Sequence, residues 1–249
     1  MQRAPWGRIW LSTIVVLALW GISTAATEVQ LVYVGPTTGT VWRGVEQGLR
    51  EANTLGGFTG HSYTLQPVSP ETLLTTEGGP LPMAVLAATD AAILPKLSTK
   101  FATAGVAILN LTADAVAQWQ KKKPEARVQA RAWHEEFTKF AARELNNRFR
   151  KAHGIPMDDA AWAGWAALKL LSEAVARAHT TEPARLLAYL RNDMAFDGQK
   201  GVPQTFRDTG QMRQPLLLVE DYKLVGEAPV PGVVDSNNLD SLGLTSCKR

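Results

Sequence analysis

The sequence is poor in cysteine, and its charges nearly balance. Cys247 stands alone in 249 residues, so it forms no internal disulfide and either pairs with another chain or stays a free thiol. Lys and Arg number 26 against 23 Asp and Glu, a balance that gives no support to nucleic-acid binding. With 45% hydrophobic residues, 20 Gly and 14 Pro, the composition is globular and excludes collagen-like or wholly disordered chains.

The chain has no long apolar run except at its N-terminus. Arg3 and Arg8 precede an apolar stretch at 9–20, and the small residues Ala25 and Ala26 follow it. This order predicts a cleaved secretory signal peptide over 1–26, with an uncleaved anchor helix as the alternative. We therefore expect the mature chain to function outside the cytoplasm.

The first half alternates strand-like and helix-like segments. Residues 28–35 and 61–68 are rich in β-branched and apolar side chains, and residues 41–53 between them have apolar positions at helical spacing. Two further apolar runs, at 83–88 and 105–111, flank a segment that can form a short helix. Strand–helix–strand order requires parallel pairing, so the sequence predicts an α/β fold with a parallel, Rossmann-like sheet flanked by helices.

The second half is predicted to be mainly helical. One long helix is expected over 125–153, because large apolar residues recur every four positions along one stripe. These residues are Trp133, Phe137, Ala141, Leu145 and Phe149. A second helix is expected from Asp158 to about 178 and a third over 183–191, followed by extended segments. The tail over 226–249, rich in Pro, Gly, Asn and Ser, is predicted to be an irregular strap.

No catalytic or metal-binding pattern stands out in the sequence. The segment His134-Glu135-Glu136 lacks the second histidine that a helical zinc site requires, and no Gly-x-Ser-x-Gly elbow occurs. We therefore expect no enzymatic activity, no cofactor and no metal.

Polar residues follow three of the predicted strands. Thr37 and Thr38 come after the first strand, Thr89 and Asp90 after the third, and Asn110 ends the fourth. Because ligands bind outside the carboxyl ends of parallel strands, we predict these five residues as ligand-binding, with a small polar or zwitterionic solute as the ligand. For Thr37 and Thr38 the alternative is that they merely cap the following helix.

Motifs in both halves resemble one family. Strand 29–35, Gly56-Gly57 and Tyr63-Thr64-Leu65 resemble the opening of type I periplasmic solute-binding proteins of the Leu/Ile/Val-binding type. Asn146-Asn147-Arg148-Phe149 and Leu239-Asp240-Ser241-Leu242-Gly243 resemble one subgroup, the ABC substrate-binding-like proteins associated with PQQ-dependent (quinoprotein) alcohol catabolism.

The resemblance implies a domain organisation. It implies one lobe of a type I periplasmic binding protein over 27–225, with a helical C-terminal half and a deletion near 113–129 in place of most of the second lobe. It also implies that Cys247 has lost a disulfide partner in the missing region.

The resemblance implies a function as well. The chain would be the periplasmic solute-binding component of an ABC-type importer, with an ABC permease and a quinoprotein dehydrogenase system as partners. The alternative is a one-lobed accessory protein that docks a periplasmic partner or a second copy of itself, as a homodimer, and binds no solute. We expect the two halves to share a sheet and Thr37 and Asp90 to open onto the same face. If either expectation fails, the resemblance says nothing about a pocket.

Overall fold

The computed structural model describes residues 26–112, 127–235 and 238–243. The predicted signal peptide up to residue 25, most of the predicted deletion site and Cys247 lie outside the described residues.

A four-stranded parallel sheet forms the centre of the first half, as predicted. Its strands are β1 (Thr27–Val34), β2 (His61–Val68), β3 (Ala84–Ala87) and β4 (Ala107–Asn110). They pair in the order β2-β1-β3-β4, and every neighbouring pair is parallel. Three helices accompany them: α1 (Gly39–Thr59), α2 (Pro70–Thr75) and α3 (Leu94–Phe101).

Both faces of the parallel sheet are covered, which explains why β1 reads as a nearly continuous apolar run. Val29, Leu31 and Tyr33 face the larger core, which α1 and the helices of the second half complete. Val32 and Val34 face a smaller core against α2 and α3.

The second half begins differently from the prediction. The expected helix over 125–153 is wrong for the described residues before Ala142, which form the strand β5 (Val128–Arg131) and then turns. The helix itself is α4 (Ala142–His153), which ends at Gly154 in the left-handed conformation. The Trp133 backbone N–H donates to the Asp159 carboxylate across 2.6 Å, which ties this segment to the next helix instead of continuing α4 backwards.

The remaining elements follow the expected order. The helices are α5 (Asp159–Ala178), which begins after Asp158 as predicted and is capped by its carboxylate, and α6 (Pro183–Asn192). The strands are β6 (Thr205–Phe206), β7 (Met212–Arg213), β8 (Leu216–Glu220) and β9 (Lys223–Ala228). β9 takes in the first three residues of the predicted strap, and a 3₁₀ turn, Leu239–Leu242, lies further along it.

Within the described residues, the two halves share a core but no sheet. β5, β8 and β9 form a separate antiparallel sheet, and β6 pairs only with β7. The expectation of a common sheet is therefore wrong, so the family resemblance does not by itself locate a pocket, and a candidate site must be argued from the geometry of the parallel sheet alone. The halves are joined by α1 and α5, which approach closely because glycines line the contact: Gly44 and Gly48 face α5, and Gly164 faces α1.

Candidate functional site

The five predicted ligand-binding residues lie along one edge of the parallel sheet. Thr37 and Thr38 follow β1, Thr89 and Asp90 follow β3, and Asn110 is the last residue of β4. Since these three strands are parallel neighbours, their carboxyl ends meet at this edge. The structure thus places the five residues after or at the ends of parallel strands, as expected, and their role in binding stays a prediction.

The strand order singles out one position along this edge. From β1 the chain moves to β2 on one side and later to β3 on the other, so the direction of winding reverses between β1 and β3. A reversal of this kind opens a crevice in which ligands of open α/β sheets bind. The loops that carry Thr37, Thr38, Thr89 and Asp90 flank the reversal point, whereas Asn110 lies one strand further out.

The loop after β1 is held firmly against the end of β3. A β-carbon added at Gly35 would lie 2.6 Å from the Ala88 carbonyl oxygen, so glycine allows this approach. The Tyr33 hydroxyl donates to the Pro36 carbonyl across 2.9 Å, and its ring packs 5.0 Å from that of Trp42. Burial raises the pKa of Tyr33 to about 12, so this hydroxyl stays protonated as a donor.

Several polar groups around the reversal point have no partner among the described residues. Thr38 occupies the N-cap position of α1 but makes no side-chain capping bond, so the capping alternative is not realised there. The hydroxyls of Thr37 and Thr89 and the carboxylate of Asp90 are likewise unpaired among these residues. The first turn of α1 contains no acidic residue, which leaves its positive dipole end uncompensated. Hydroxyls, a carboxylate and a positive helix end together match a zwitterion.

Asn110 belongs to a different environment. Its Oδ1 accepts hydrogen bonds from the Thr112 backbone N–H at 2.9 Å and from the Thr112 hydroxyl at 2.7 Å. Asn110 also lines a cleft of about 750 Å³ that runs beside β4, and it is the one residue of the predicted five that does so. The five predicted residues therefore lie on two separate surfaces, with Asn110 apart from the other four.

This cleft, which we refer to as the β4 cleft, is assembled from segments distant in sequence. β4 forms one side, α5 and α6 form the floor and a second side, and the β6–β7 hairpin and the segment before β8 close it. Most of its lining is apolar, and Ala163, Leu187, Phe206 and Met212 are only partly buried there. Its volume lies within the range of ligand pockets in proteins.

Among the described residues, three charged side chains line the β4 cleft, and two of them are paired. Asp159 lies 3.3 Å from Arg131, and burial raises its pKa although the Trp133 N–H and Arg131 oppose this. Arg207 lies 3.3 Å from Asp240. Arg191 has no ion-pair or hydrogen-bond partner within the described part of the chain, so the cleft carries an uncompensated positive charge.

A buried lysine lies behind the cleft. The Lys200 ammonium donates to Gln214 Oε1 at 2.7 Å and to the Pro215 carbonyl at 3.0 Å, and lies 4.2 Å from the ring centroid of Trp162. Burial lowers the pKa of Lys200 to about 7, against the attraction of Asp159 and Glu227. Since Trp162 and Gln214, which contact Lys200, line the β4 cleft, this lysine supports the wall of the cleft from behind.

Residues 81–222 match the sequence family described as periplasmic binding protein, a span of more than half the chain. The chain belongs to this family. Periplasmic binding proteins are non-enzymatic solute-binding proteins, and the family places the chain in the periplasm. No curated protein matches the sequence.

Solved structures share the fold of this periplasmic binding protein. A putative branched-chain amino acid ABC transporter from Rhodospirillum rubrum aligns with a TM-score of 0.61 at 11% identity, covering 80% of this chain and 99% of that one. The leucine binding protein LivK from Thermotoga maritima gives 0.57 at 11%, covering 80% and 98%. A solute binding protein from Rhodopseudomonas palustris BisB5, in complex with 3,4-dihydroxy benzoic acid, gives 0.58 at 9%, covering 80% and 94%. At these low sequence identities, the likeness to the solved structures shows the fold of this chain and nothing more.

Two further properties of the described residues bear on the site. None of the helices they form combines the length and apolar character needed to cross a membrane. Nor do they contain a group of three or more His, Cys, Asp or Glu side chains that could hold a metal ion.

Neither Lys200 nor the β4 cleft could be predicted from the sequence. Lys200 stands in a Gly-rich segment that reads as an exposed turn, and its burial depends on Trp162, 38 positions earlier. The cleft requires β4, α5, α6 and the hairpin to be placed in space, which periodicity alone does not do.

Proposed function

We propose that this periplasmic binding protein captures a small polar or zwitterionic solute and presents it to an ABC-type importer. The observation that carries the proposal is the reversal of winding between β1 and β3, flanked by Thr37, Thr38, Thr89 and Asp90, whose side chains have no partner in the part of the chain that the structure describes. Solved proteins of the same fold are described as a leucine binding protein and as a branched-chain amino acid ABC transporter, which supports a transport role.

We further propose that residues 1–26 are a signal peptide that is cleaved on export. The arginines Arg3 and Arg8, the apolar stretch at 9–20 and the small residues before Thr27 support this. Mass spectrometry of the chain recovered from a periplasmic fraction tests it, since cleavage predicts a mature N-terminus at Thr27.

A link to PQQ-dependent alcohol oxidation is part of the proposal. It depends on the sequence motifs at 146–149 and 239–243, of which the second lies in the 3₁₀ turn beside Arg207. Its test is the set of neighbouring genes. An ABC permease and ATPase beside a quinoprotein dehydrogenase support the full proposal, whereas a dehydrogenase and cytochrome without a permease support an accessory role.

We also propose that residues 113–129 replace most of a second lobe. The carboxyl-terminal edge of the parallel sheet would then have no second lobe facing it. A single lobe cannot enclose its solute, so we expect weaker binding than in two-lobed relatives. A one-lobed docking protein is the second candidate function. The observation that favours it is the exposure of Tyr222 and Val225 at the β8–β9 hairpin, with 93% and 53% of their surface accessible.

A ligand screen followed by mutation tests the proposal. A solute that binds the folded chain raises its melting temperature by mass action, and the amino acids are the first set to screen. Asp90→Ala and Thr89→Val should each remove the shift, while Asp193→Asn, at an exposed carboxylate after α6, should keep it. If no compound raises the melting temperature and the protein elutes as a dimer in size-exclusion chromatography, the docking function is favoured instead.

A further inference from the structure

Among the described residues nothing pairs with the outer edge of β4, and this edge faces the β4 cleft. The Leu111 N–H donates to the Ala87 carbonyl on β3 at 2.8 Å. Because successive backbone groups of a strand point to alternate sides, the N–H and C=O groups of Ile108 and Asn110 point away from β3. Both residues line the cleft, and β4 has no second neighbour among the described strands.

A strand edge that lines a largely apolar cleft offers backbone donors and acceptors to a ligand. An extended peptide added at a sheet edge is one established way in which such groups are used. The groups of Ile108 and Asn110 are two residues apart, so a strand lying alongside would meet them with every second residue of its own.

The other walls of the β4 cleft suit the remaining parts of such a peptide. Ala163 on α5 and Leu187 on α6 offer apolar surface opposite β4, and Phe206 and Met212 offer more at the hairpin. A volume of about 750 Å³ fits a short peptide and is too small for a folded partner.

Arg191 supplies a charge for the end of the peptide. Its guanidinium, in the last turn of α6, lines the cleft and has no partner among the described residues. The other cleft cation, Arg207, is already paired with Asp240, and the cleft carboxylate of Asp159 is engaged by Arg131 and the Trp133 N–H. A free carboxylate in the cleft would therefore find Arg191 available.

We propose that the β4 cleft is a second binding site, separate from Thr37, Thr38, Thr89 and Asp90, which takes a short extended peptide with apolar side chains. The peptide pairs its backbone with the outer edge of β4 at Ile108 and Asn110, and its terminal carboxylate binds Arg191. This goes beyond the proposed function, which requires only the reversal point between β1 and β3.

Isothermal titration calorimetry with the tetrapeptide Ala-Val-Leu-Ala tests the backbone pairing. N-methylation of one amide nitrogen at a time removes one donor. Since only alternate residues face β4, methylation at alternate nitrogens should weaken binding about tenfold, and methylation at the intervening nitrogen should have a much smaller effect. Equal weakening at all positions, or no binding of the tetrapeptide at millimolar concentration, overturns the proposal.

Two variants locate the peptide in the cleft. Ala163→Phe fills the apolar side and should abolish binding. Arg191→Gln should weaken binding of the free acid about tenfold and leave the C-terminal amide unaffected, whereas Arg185→Gln, on the same helix but outside the cleft, should change neither. Unchanged affinity in Ala163→Phe or Arg191→Gln overturns the proposal.

The strand-end variant separates this inference from the proposed function. Asp90→Ala should not alter peptide affinity. If the peptide fails to bind while a screened solute still binds in an Asp90-dependent way, the second site is wrong and the proposed function stands. If the peptide binds as expected while no screened solute raises the melting temperature, the second site stands and the proposed function is wrong.

Discussion

Gly44 on α1 lies directly against Ala161 on α5: a β-carbon added at Gly44 would come 1.9 Å from the Ala161 carbonyl oxygen. The obstacle is backbone, which cannot rotate away as a side chain can. This contact joins the half that carries the parallel sheet to the half that carries the β4 cleft, so the integrity of both surfaces depends on it.

Gly44→Ala should therefore destabilise the protein strongly. Because α1 and α5 must move apart, we expect a loss of about 3 kcal/mol in the free energy of unfolding, measured by urea denaturation. Gly57 is the matched control on the same helix, since a β-carbon there meets nothing within 4 Å. Gly57→Ala should stabilise by about 0.5–1 kcal/mol. Equal effects of the two substitutions would contradict the close packing of α1 on α5.

Lys200 should make stability depend on pH. Its pKa is lowered to about 7 in the folded chain by burial and is ordinary, near 10.5, in the unfolded chain. Between these values the unfolded chain binds more protons, so the free energy of unfolding should rise as pH increases from about 7 to about 10, by at most about 1.4 kcal/mol per pH unit. Lys200→Met lacks this group and should lose that rise. Urea titrations at several pH values measure it, and parallel profiles for the two proteins would contradict the burial of a titrating ammonium.

Asp240 should hold the 3₁₀ turn against the β6–β7 hairpin. Its Oδ1 lies 2.7 Å from Arg213 Nε and 3.3 Å from Arg207 Nε. The hydrogen bond from Arg213 lowers the pKa of Asp240, so the contact is lost as pH falls through that lowered value. Asp240→Asn should speed amide hydrogen exchange over residues 239–242 at neutral pH and leave exchange in α5 unchanged. Asp221→Asn, at an exposed carboxylate, is the control, and identical exchange in the two variants would contradict the role of Asp240.

Much of the first half could be predicted because its signals are local. β2 matches the predicted residues 61–68, and β1 is displaced by one residue from the prediction, since apolar runs bounded by Gly and polar residues define buried parallel strands. The start of α5 at Asp158, in the second half, could be predicted for the same reason, because a side-chain cap is a local interaction.

The second half resisted prediction where distant contacts decide the structure. β5 pairs with β8, about 90 positions later, and this pairing replaces the helix expected from 125 onwards. Of the predicted apolar stripe, four members are buried and Ala141, at the N-cap position of α4, is exposed. The buried members are Trp133, Phe137, Leu145 and Phe149, and their burial did not require a helix before Ala142. The spacing of apolar residues therefore predicted the burial of these four side chains, but not whether they belong to a helix, a strand or a turn.

The candidate site also combines features that could be predicted from the sequence with features that could not. The strand-end residues follow from the rule for parallel sheets, so sequence alone could place them at one edge. The strand order that separates Asn110 from the reversal point, and the unpartnered Arg191 beside β4, depend on tertiary packing.

The central claim is that a solute binds at the reversal point between β1 and β3. Its most direct test is an NMR titration of the ¹⁵N-threonine-labelled protein with the amino acid that gives the largest shift in melting temperature. The account predicts that the amide signals of Thr37, Thr38 and Thr89 move with the same dissociation constant, while those of Thr54 and Thr99 stay in place. Signals that shift at Thr54 or Thr99, with Thr37, Thr38 and Thr89 unmoved, would contradict it.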